Sequence, residues 1–301
     1  MESWEKIDAV QRVQDYIEAH LKEPLTLYQL SRAAGYSPWH TLRIFKQLTG
    51  KTPLEYIRSL RLSRAAVCLW DEGTRIIDVA LDFAFDSHEG FTRAFSEKFG
   101  MTPRHYRKAT PPLPLFMPSP IRGYYLMIQK GDQEMTEKTK LNTVFVQVVA
   151  RPARRLILKR GVKADNYFDY CEEAGCDVWG VLCSIKDALY EPIGMWLPEK
   201  LRKPGTSEYA QGVEVSPDYQ GQVPDGYEMI DLPGCQMMVF QGPPFDDEKF
   251  ETAIQDLWQV MKDYHPEVYG FRWADDDGPR FQLAPLGERG YIEARPVRAV
   301  K

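Results

Sequence analysis

The stretch GYSPWHTLRIFKQLTGKTPLEY, residues 35–56, returns about fifty residues later as AFDSHEGFTRAFSEKFGMTPRHY, residues 84–106. The copies align at an offset of 50, and at 49 in their first residues, where one residue has been gained at the turn. The identities are Ser37/Ser87, Arg43/Arg93, Phe45/Phe95, Gly50/Gly100, Thr52/Thr102, Pro53/Pro103 and Tyr56/Tyr106. A chain that repeats these residues at the same spacing is predicted to repeat one local structure.

Each copy is predicted to form a helix, a short turn and a second helix. In the first copy Leu27, Leu30 and Ala34 lie at helical spacing. Gly35 ends that helix, and Ser37 is placed to cap the next one. The prediction for this part of the chain is an all-helical tandem of two helix-turn-helix motifs.

The second helix of a helix-turn-helix motif enters the DNA major groove with side chains toward the base edges. Arginine can bind guanine, glutamate can accept from the cytosine amine, and a threonine methyl can contact a thymine methyl. The outward candidates are Trp39, His40, Arg43 and Lys46 in the first copy, and His88, Glu89, Thr92 and Arg93 in the second. The predicted partner is therefore double-stranded DNA.

The stretch from Pro53 to Trp70 connects the two motifs and is predicted to be one helix, roughly 27 Å long. That length suits two adjacent major grooves if the duplex bends. Arg58, Arg61 and Arg64 recur every three residues along it and are candidates for phosphate contacts. The alternative is an ordinary helical bundle whose basic residues are solvated.

Residues 7–108 resemble the DNA-binding domain of the AraC/XylS transcription regulators. The resemblance lies in LSRAAGYSPWHTLRIFK, TPLEYIRSLRLSRAA and IIDVALDFAFDSHEGFTRAFSEKFGMTPRHYR. It implies DNA contacts at the two sets of outward residues named above. The sequence departs from the family at Leu42, where a polar residue is frequent, at Ala84, where glycine is usual, and at Gly90.

Composition fits a two-domain globular protein of 301 residues. The net charge of −5 divides into +2 for residues 1–108 and −7 for the remainder. We expect a cytoplasmic protein, because the acidic N-terminus is unlike a signal peptide and no apolar run could span a membrane. The five cysteines are sparse and odd in number, which favours reduced thiols, and neither a metal site nor a cofactor is predicted.

The stretch ATPPLPLFMPSPIRG begins at Ala109, and its prolines predict an extended, stiff segment. We therefore expect a DNA-binding domain in residues 1–108, a linker in residues 109–122 and a second domain in residues 123–301. Strand-like runs follow in the second domain: TVFVQVVA, GVLC, QGVEV and CQMMVFQ.

The second domain contains a fainter duplication. RPARRLILKRG, residues 151–161, aligns with LPGCQMMVFQG, residues 232–242, at an offset of 81. Each run leads toward a predicted helix, near residues 165–174 and 246–264, with Asp246 and Asp247 at the start of the latter. The prediction is an α+β domain of two β-α-β-β units related by a pseudo-twofold.

Acidic and aromatic residues of this domain are candidates for a ligand site. A carboxylate surrounded by rings would suit a lipophilic cation. The alternative is a glutamate that faces outward on an alternating strand, with the rings in the core. The candidates are Glu293, Glu214, Trp179, Trp196, Tyr209, Phe245, Trp258 and Tyr291.

The second domain resembles the GyrI-like small-molecule-binding domain, which is joined to an AraC-type DNA-binding domain in the Rob branch. The similarity lies in LPGCQMMVFQGP, the helix bearing Trp258 and GYIEARPVR. It implies a regulator that senses a small hydrophobic or cationic effector, with RNA polymerase as a candidate partner. We expect no enzymatic activity, because the sequence has no P-loop, dinucleotide-binding or serine-triad motif. One alternative is a GyrI-like hydrolase of electrophiles that uses Glu293 with Tyr209 or Tyr291. Another is a second domain that binds a partner protein.

Overall fold

The computed structural model describes residues 3–71, 73–118, 120–122, 125, 144–175, 177–246 and 249–300. Contacts within the chain divide it into a first unit, residues 1–133, and a second unit, residues 134–301. The regular secondary structure described in the first unit is helical, and the second unit is α+β, so the predicted fold class of each part is confirmed at this level.

The helices of the first unit follow the predicted tandem. They are α1 Trp4–Ala19, α2 Leu27–Ala34, α3 Pro38–Thr49, α4 Pro53–Cys68, α5 Ile76–Asp82, α6 His88–Phe99 and α7 Pro103–Ala109. Helices α2 and α3 form the first helix-turn-helix motif, and α5 and α6 form the second. Helix α4 connects them and ends at Cys68, two residues before the predicted end at Trp70.

The two turns share one backbone geometry. Gly35 adopts a left-handed conformation with φ of 75°, and Ala84 adopts the same region with φ of 54°. The next residue in each copy, Tyr36 or Phe85, donates its N–H to the carbonyl five residues earlier, at 3.2 and 3.0 Å. This is the bond of a Schellman helix end.

Caps also repeat at the starts of the following helices. The hydroxyls of Ser37 and Ser87 each accept a hydrogen bond from the backbone N–H three residues later. Thr52 and Thr102 do the same at the starts of α4 and α7. These hydroxyls satisfy N–H groups that have no partner inside the helix, which fixes where each helix begins.

One hydrophobic core joins both motifs. Phe45 and Tyr56 from the first copy and Phe95 and Tyr106 from the second are buried in the same cluster. The rings of Phe45 and Tyr56 meet edge to face at 5.2 Å, and those of Phe95 and Tyr106 lie 5.7 Å apart. Because the core is shared, the relative position of α3 and α6 is set by packing.

The proline-rich segment, residues 109–122, packs on this helical unit. Leu113 and Leu115 are buried in its core. The backbone N–H of Phe116 donates to the hydroxyl of Ser63 at 2.7 Å. The chain has neither helix nor strand from residue 110 to 118, in keeping with its prolines, and its apolar side chains belong to the first unit.

The second unit is built on one nine-stranded antiparallel sheet in the order β1-β6-β9-β8-β3-β4-β2-β5, with β7 also paired to β9. The strands are β1 Phe145–Arg151, β2 Arg154–Arg160, β3 Ile193–Trp196, β4 Tyr209–Val215, β5 Glu228–Leu232, β6 Cys235–Gln241, β7 Phe271–Trp273, β8 Arg280–Gln282 and β9 Ile292–Ala299. The helices are α8 Tyr167–Ala174, α9 Asp177–Cys183 and α10 Phe250–Lys262.

The two halves of the strand order are built alike, with equivalent strands at equal distances from the two edges of the sheet. Strands β2, β3 and β4 with α8 and α9 form one β-α-β-β unit, and β6, β8 and β9 with α10 form the other. The units meet where β3 pairs with β8. Val215 on β4 and Val297 on β9 occupy equivalent pairs, an offset of 82 residues, which also aligns Tyr209 with Tyr291.

One local prediction for this unit was wrong, and one predicted helix begins later than expected. The run GVLC lies in helix α9, where Val178 and Leu182 pack against the sheet, because a short apolar run does not distinguish a strand from a buried helix. Helix α10 begins at Phe250, so Asp246 precedes it and Glu251 is the acid of its first turn. Asp247 lies outside the described residues.

Candidate DNA-binding surface and the Glu293 cluster

Helix α3 presents one continuous exposed face. Trp39, Leu42, Arg43 and Lys46 are exposed at the spacing i, i+3, i+4 and i+7, and Trp39 is 70% exposed. The guanidinium carbon of Arg43 lies 5.3 Å from the centroid of the Trp39 ring. His40, half-buried, lies beside this α3 face. Trp39 therefore does not belong to the core, and the face combines two cations with an exposed ring.

Helix α6 presents the corresponding face in the second copy. His88, Glu89 and Arg93 are exposed, and Arg93 occupies the same register as Arg43. Thr92 is half-buried, and its hydroxyl oxygen has no hydrogen-bond partner among the described residues. The α6 face, His88, Glu89 and Arg93, is thus narrower and carries charges of both signs.

Arg43 and Arg93 keep their charges available to solvent. Among the residues that the structure describes, neither forms an ion pair with a carboxylate. An exposed guanidinium with free N–H groups can bind a guanine edge or a phosphate without first breaking an internal contact.

The arginines of α4 have internal partners instead. Arg58 pairs with Glu97 at 2.8 Å, and Arg64 pairs with Glu18 at 2.6 Å. Arg61 donates to two backbone carbonyls after α1, at 2.9 and 2.5 Å, and its partial burial lowers its pKa. These contacts connect α4 to α1 and α6, and the phosphate contacts that the sequence indicates for the three arginines stay a prediction.

A buried carboxylate lies at the centre of the second unit. Glu293 is fully buried, and its Oε2 accepts hydrogen bonds from Trp258 Nε1 at 2.7 Å and from the Tyr291 hydroxyl at 3.0 Å. Its Oε1 forms an ion pair with Arg280 Nε. The guanidinium carbon of Arg280 lies 4.6 Å from the ring centroid of Trp196. We name these five residues the Glu293 cluster.

A polar chain connects the cluster to the other β-α-β-β unit. The Tyr291 hydroxyl, which donates its one proton to Glu293, also lies 2.8 Å from Gln282 Oε1, and Gln282 Nε2 donates to the Tyr209 hydroxyl at 3.1 Å. Burial raises the pKa of both tyrosines well above the ordinary value, so both hydroxyls stay protonated. Gln211, at the position equivalent to Glu293, is buried, and its Nε2 has no partner among the described residues.

Glu214 is not part of this cluster. It alternates with Tyr209 along β4 and so points to the opposite face of the sheet. Its carboxylate is buried between two guanidinium groups, those of Arg151 at 2.5 Å and Arg154 at 2.6 Å. The sequence named Glu214 as a second candidate carboxylate for a ligand site; in the structure it lies apart from Glu293, and its charge is balanced by the two arginines.

Two aromatic candidates also lie apart from Glu293. Trp179 contacts Tyr167 edge to face, with 6.5 Å between ring centroids. Phe245 lines a separate cavity of about 960 Å³ along α10, together with Leu257 and Tyr264. Of the predicted ligand residues, the structure brings together Glu293, Trp196, Tyr209, Trp258 and Tyr291.

No group of three or more His, Cys, Asp or Glu side chains within the described ranges is placed to hold a metal ion. In the same part of the chain, no helix is both long and apolar enough to cross a membrane.

Comparison with known proteins places the first unit. A family model described as a helix-turn-helix domain matches residues 30–109. Transcriptional regulator Rob of Salmonella typhimurium is 45% identical over 95 residues, which cover 32% of this chain and 33% of Rob. Regulatory protein SoxS of the same organism is 37% identical, over 33% of this chain and 92% of SoxS. The chain belongs to the AraC/XylS family of transcription regulators.

A solved AraC-type DNA-binding-domain protein from Chromobacterium violaceum is 30% identical, with a TM-score of 0.32, and covers 34% of this chain and 90% of that one. The chain spans about a third of the length of the Rob relative that it matches. The helix-turn-helix match contains both α3 and α6, and therefore both exposed faces of this AraC/XylS protein.

Sequence reasoning on this AraC/XylS protein missed Arg280, Gln282 and Gln211. The sequence contained a signal for Gln211, because the alignment of the two strands at an offset of 82 makes it the residue equivalent to Glu293. Arg280 and Gln282 lie on β8, a strand of three residues without a readable alternation. Their role depends on the pairing of β8 with β3 and β9.

Proposed function

We propose that this protein is a sequence-specific DNA-binding transcription regulator whose second unit binds a small hydrophobic ligand. The observation that carries the first part is the repeated register of Arg43 and Arg93, both exposed on the second helix of their motif. Membership of the AraC/XylS family supports it, as do the regulatory names of the Rob and SoxS relatives.

The two faces suit different parts of one DNA site. On α3, the stacking of Arg43 on Trp39 limits the motion of the guanidinium, which favours a defined base contact. On α6, Glu89 and Arg93 offer an acceptor and a donor to the base edges. Because the faces differ, a single chain suits an asymmetric DNA site. A regulator bound at a promoter also has RNA polymerase as a candidate partner.

The ligand proposal rests on the Glu293 cluster. Trp196 is partly exposed and contacts Arg280, and Trp258 is 41% exposed and donates to the fully buried Glu293. A carboxylate alone would favour hydrophobic cations, but here it is already paired with Arg280, so the proposal is limited to a small hydrophobic ligand. To regulate, the ligand must bind one state of the protein more tightly than another.

Genome-wide mapping of bound DNA in the presence and absence of hydrophobic compounds tests the function as a whole. We expect discrete sites that the Arg43→Ala/Arg93→Ala double variant loses while it remains folded. Occupancy that is uniform across sequences, or unchanged in the double variant, would contradict sequence-specific reading.

A thermal-shift panel on the full chain tests ligand binding separately. A bound ligand raises the melting temperature, and the stabilisation grows with the logarithm of the ligand concentration relative to Kd. We expect stabilisation that is lost in Trp258→Ala and retained in Trp179→Ala, since Trp179 packs on Tyr167 and is not a contact of Glu293. A panel with no shift at all would favour a partner-binding role.

A further inference from the structure

The charge of Glu293 is already countered inside the protein. Arg280 Nε forms an ion pair with its Oε1, while Trp258 and Tyr291 donate to its Oε2. Three of the roughly four acceptor positions of the carboxylate are therefore occupied, and its charge is balanced by Arg280. A cationic ligand would have to displace Arg280 or leave it as a second positive charge nearby.

One ring face of the cluster is also occupied by a cation. The guanidinium of Arg280 lies over Trp196, with its carbon 4.6 Å from the ring centroid. Carboxylate and ring face are the two features through which an acidic aromatic site binds cations. Arg280 pairs with the carboxylate and covers the Trp196 face at the same time, so its positive charge lies next to both.

We propose that Arg280 sets the charge preference of the Glu293 cluster, so that it binds aromatic ligands with a neutral or anionic polar group and excludes cations. This inference rests on the proposed ligand binding at that cluster. It specifies the class of ligand and names Arg280 as the residue that determines it.

The remaining hydrogen-bond groups favour the same class. The side chain of Arg280 is 38% exposed, and its terminal N–H groups have no acceptor among the residues that the structure describes. Gln211 Nε2 is a buried donor without an acceptor in the same part of the chain. Unpaired donors are satisfied by acceptor atoms, which a carboxylate or amide supplies and an ammonium group does not.

The sheet fixes Arg280 in this position. Strand β8 pairs Arg280 with Trp196 on β3, and it pairs Gln282 with Glu293 on β9. Arg280 and Glu293 are thus diagonal neighbours on adjacent strands, within reach of long side chains. The contact follows from strand register and does not depend on a flexible loop.

The test uses three probes with one naphthalene ring: 2-naphthoate, 2-naphthamide and 2-naphthylmethyl-trimethylammonium. Binding to the full chain is measured by calorimetry for wild type, Arg280→Ala and the double variant Arg280→Ala/Glu293→Gln. The matched control is Arg295→Ala, because Arg295 also pairs with a carboxylate, Asp275 at 2.6 Å, and also stacks on a tryptophan, Trp273 at 4.2 Å.

We expect wild type and Arg295→Ala to bind the anion and the amide at least about tenfold more tightly than the cation, as expected for an added charge near a partly buried site. Arg280→Ala should reverse the order of anion and cation. The double variant, which leaves no unpaired buried charge, should bind all three with less than about threefold preference.

Wild type that binds the cation as tightly as the anion would overturn the inference, and so would an anion-to-cation ratio that Arg280→Ala leaves unchanged. In both cases ligand binding itself would stand. If none of the probes binds any variant and the thermal-shift panel is also blank, the proposed ligand binding fails together with the role of Arg280.

Discussion

The two helix-turn-helix motifs share one backbone plan but end their first helix with different residues. The first copy has Gly35 at the left-handed position, and the second has Ala84. The bond donated by the next residue is present in both, at 3.2 and 3.0 Å. The repeated caps and the shared core therefore determine the turn. They hold Ala84 in a left-handed conformation although its Cβ makes that conformation sterically unfavourable.

The copies differ more in what they present to solvent. The α3 face carries Trp39, Arg43 and Lys46, whereas the α6 face carries Glu89 and Arg93. Because the two motifs share one backbone but present different side chains, we expect each to bind a different short DNA sequence.

The largest expected effect comes from the shared core. Phe45→Ala and Phe95→Ala should each destabilise the first unit by about 3–5 kcal/mol, because each removes a fully buried ring. Since both rings lie in one cluster, either variant should speed hydrogen exchange in both motifs. Exchange mass spectrometry measures this copy by copy.

Leu54→Ala is the matched control, because Leu54 is 56% exposed in the same unit and should change little. Faster exchange confined to the copy that carries the substitution would show that the motifs are independent, contrary to the shared core.

The next largest effect is a loss of folding stability at alkaline pH, caused by the repeated tyrosines. Burial raises the pKa of Tyr56 from 10.0 to about 12, and burial also raises that of Tyr106. The folded state therefore favours the protonated phenol. This preference contributes fully to the free energy of unfolding below pH 10 and is lost as the pH rises toward 12. Between these values, wild type should lose up to about 2 kcal/mol more stability than Tyr56→Phe.

Urea unfolding followed across this pH range checks the difference. Tyr28→Phe serves as the control, since Tyr28 is 65% exposed, and should follow wild type. A Tyr56→Phe variant with the same alkaline loss as wild type would rule out Tyr56 as its source.

The smallest effect concerns the turn itself. Ala84→Gly should stabilise the first unit by about 0.5–1 kcal/mol, because glycine adopts positive φ without the strain of a Cβ. Gly35→Ala should destabilise it by about 1 kcal/mol, since an added Cβ meets no atom closer than 3.8 Å and only the backbone strain remains. Thermal unfolding of both variants measures the two changes in stability. Destabilisation by Ala84→Gly would mean that alanine is preferred at this position for packing.

The helical fold was predictable because its information is local. Ser37, Gly50, Thr52 and their repeats define helix ends within a few residues, and apolar spacing defines the buried faces. The partners of Arg58, Arg61 and Arg64 were not predictable from spacing, because they lie about 40 residues away in sequence. Whether an arginine meets DNA or a neighbouring helix depends on tertiary packing.

The Glu293 cluster was predictable only in part, for a related reason. A glutamate beside Tyr291 in a strand marks a candidate site, and Trp258 follows from the periodicity of α10. Strand register, however, decides which glutamate faces the rings, and it separates Glu293 from Glu214. Arg280 lies on a three-residue strand, too short for a pattern to reveal its partner.

The central claim is that α3 and α6 read two segments of one DNA site. In vitro selection from a random duplex library, repeated with Arg43→Ala and Arg93→Ala, tests it most directly, with Arg75→Ala as a control whose exposed guanidinium pairs with Asp78. The account predicts a wild-type motif of two segments about 10 base pairs apart, with each variant relaxing a different segment and Arg75→Ala relaxing neither. Loss of the same segment in both variants, or a motif unchanged in both, would contradict it.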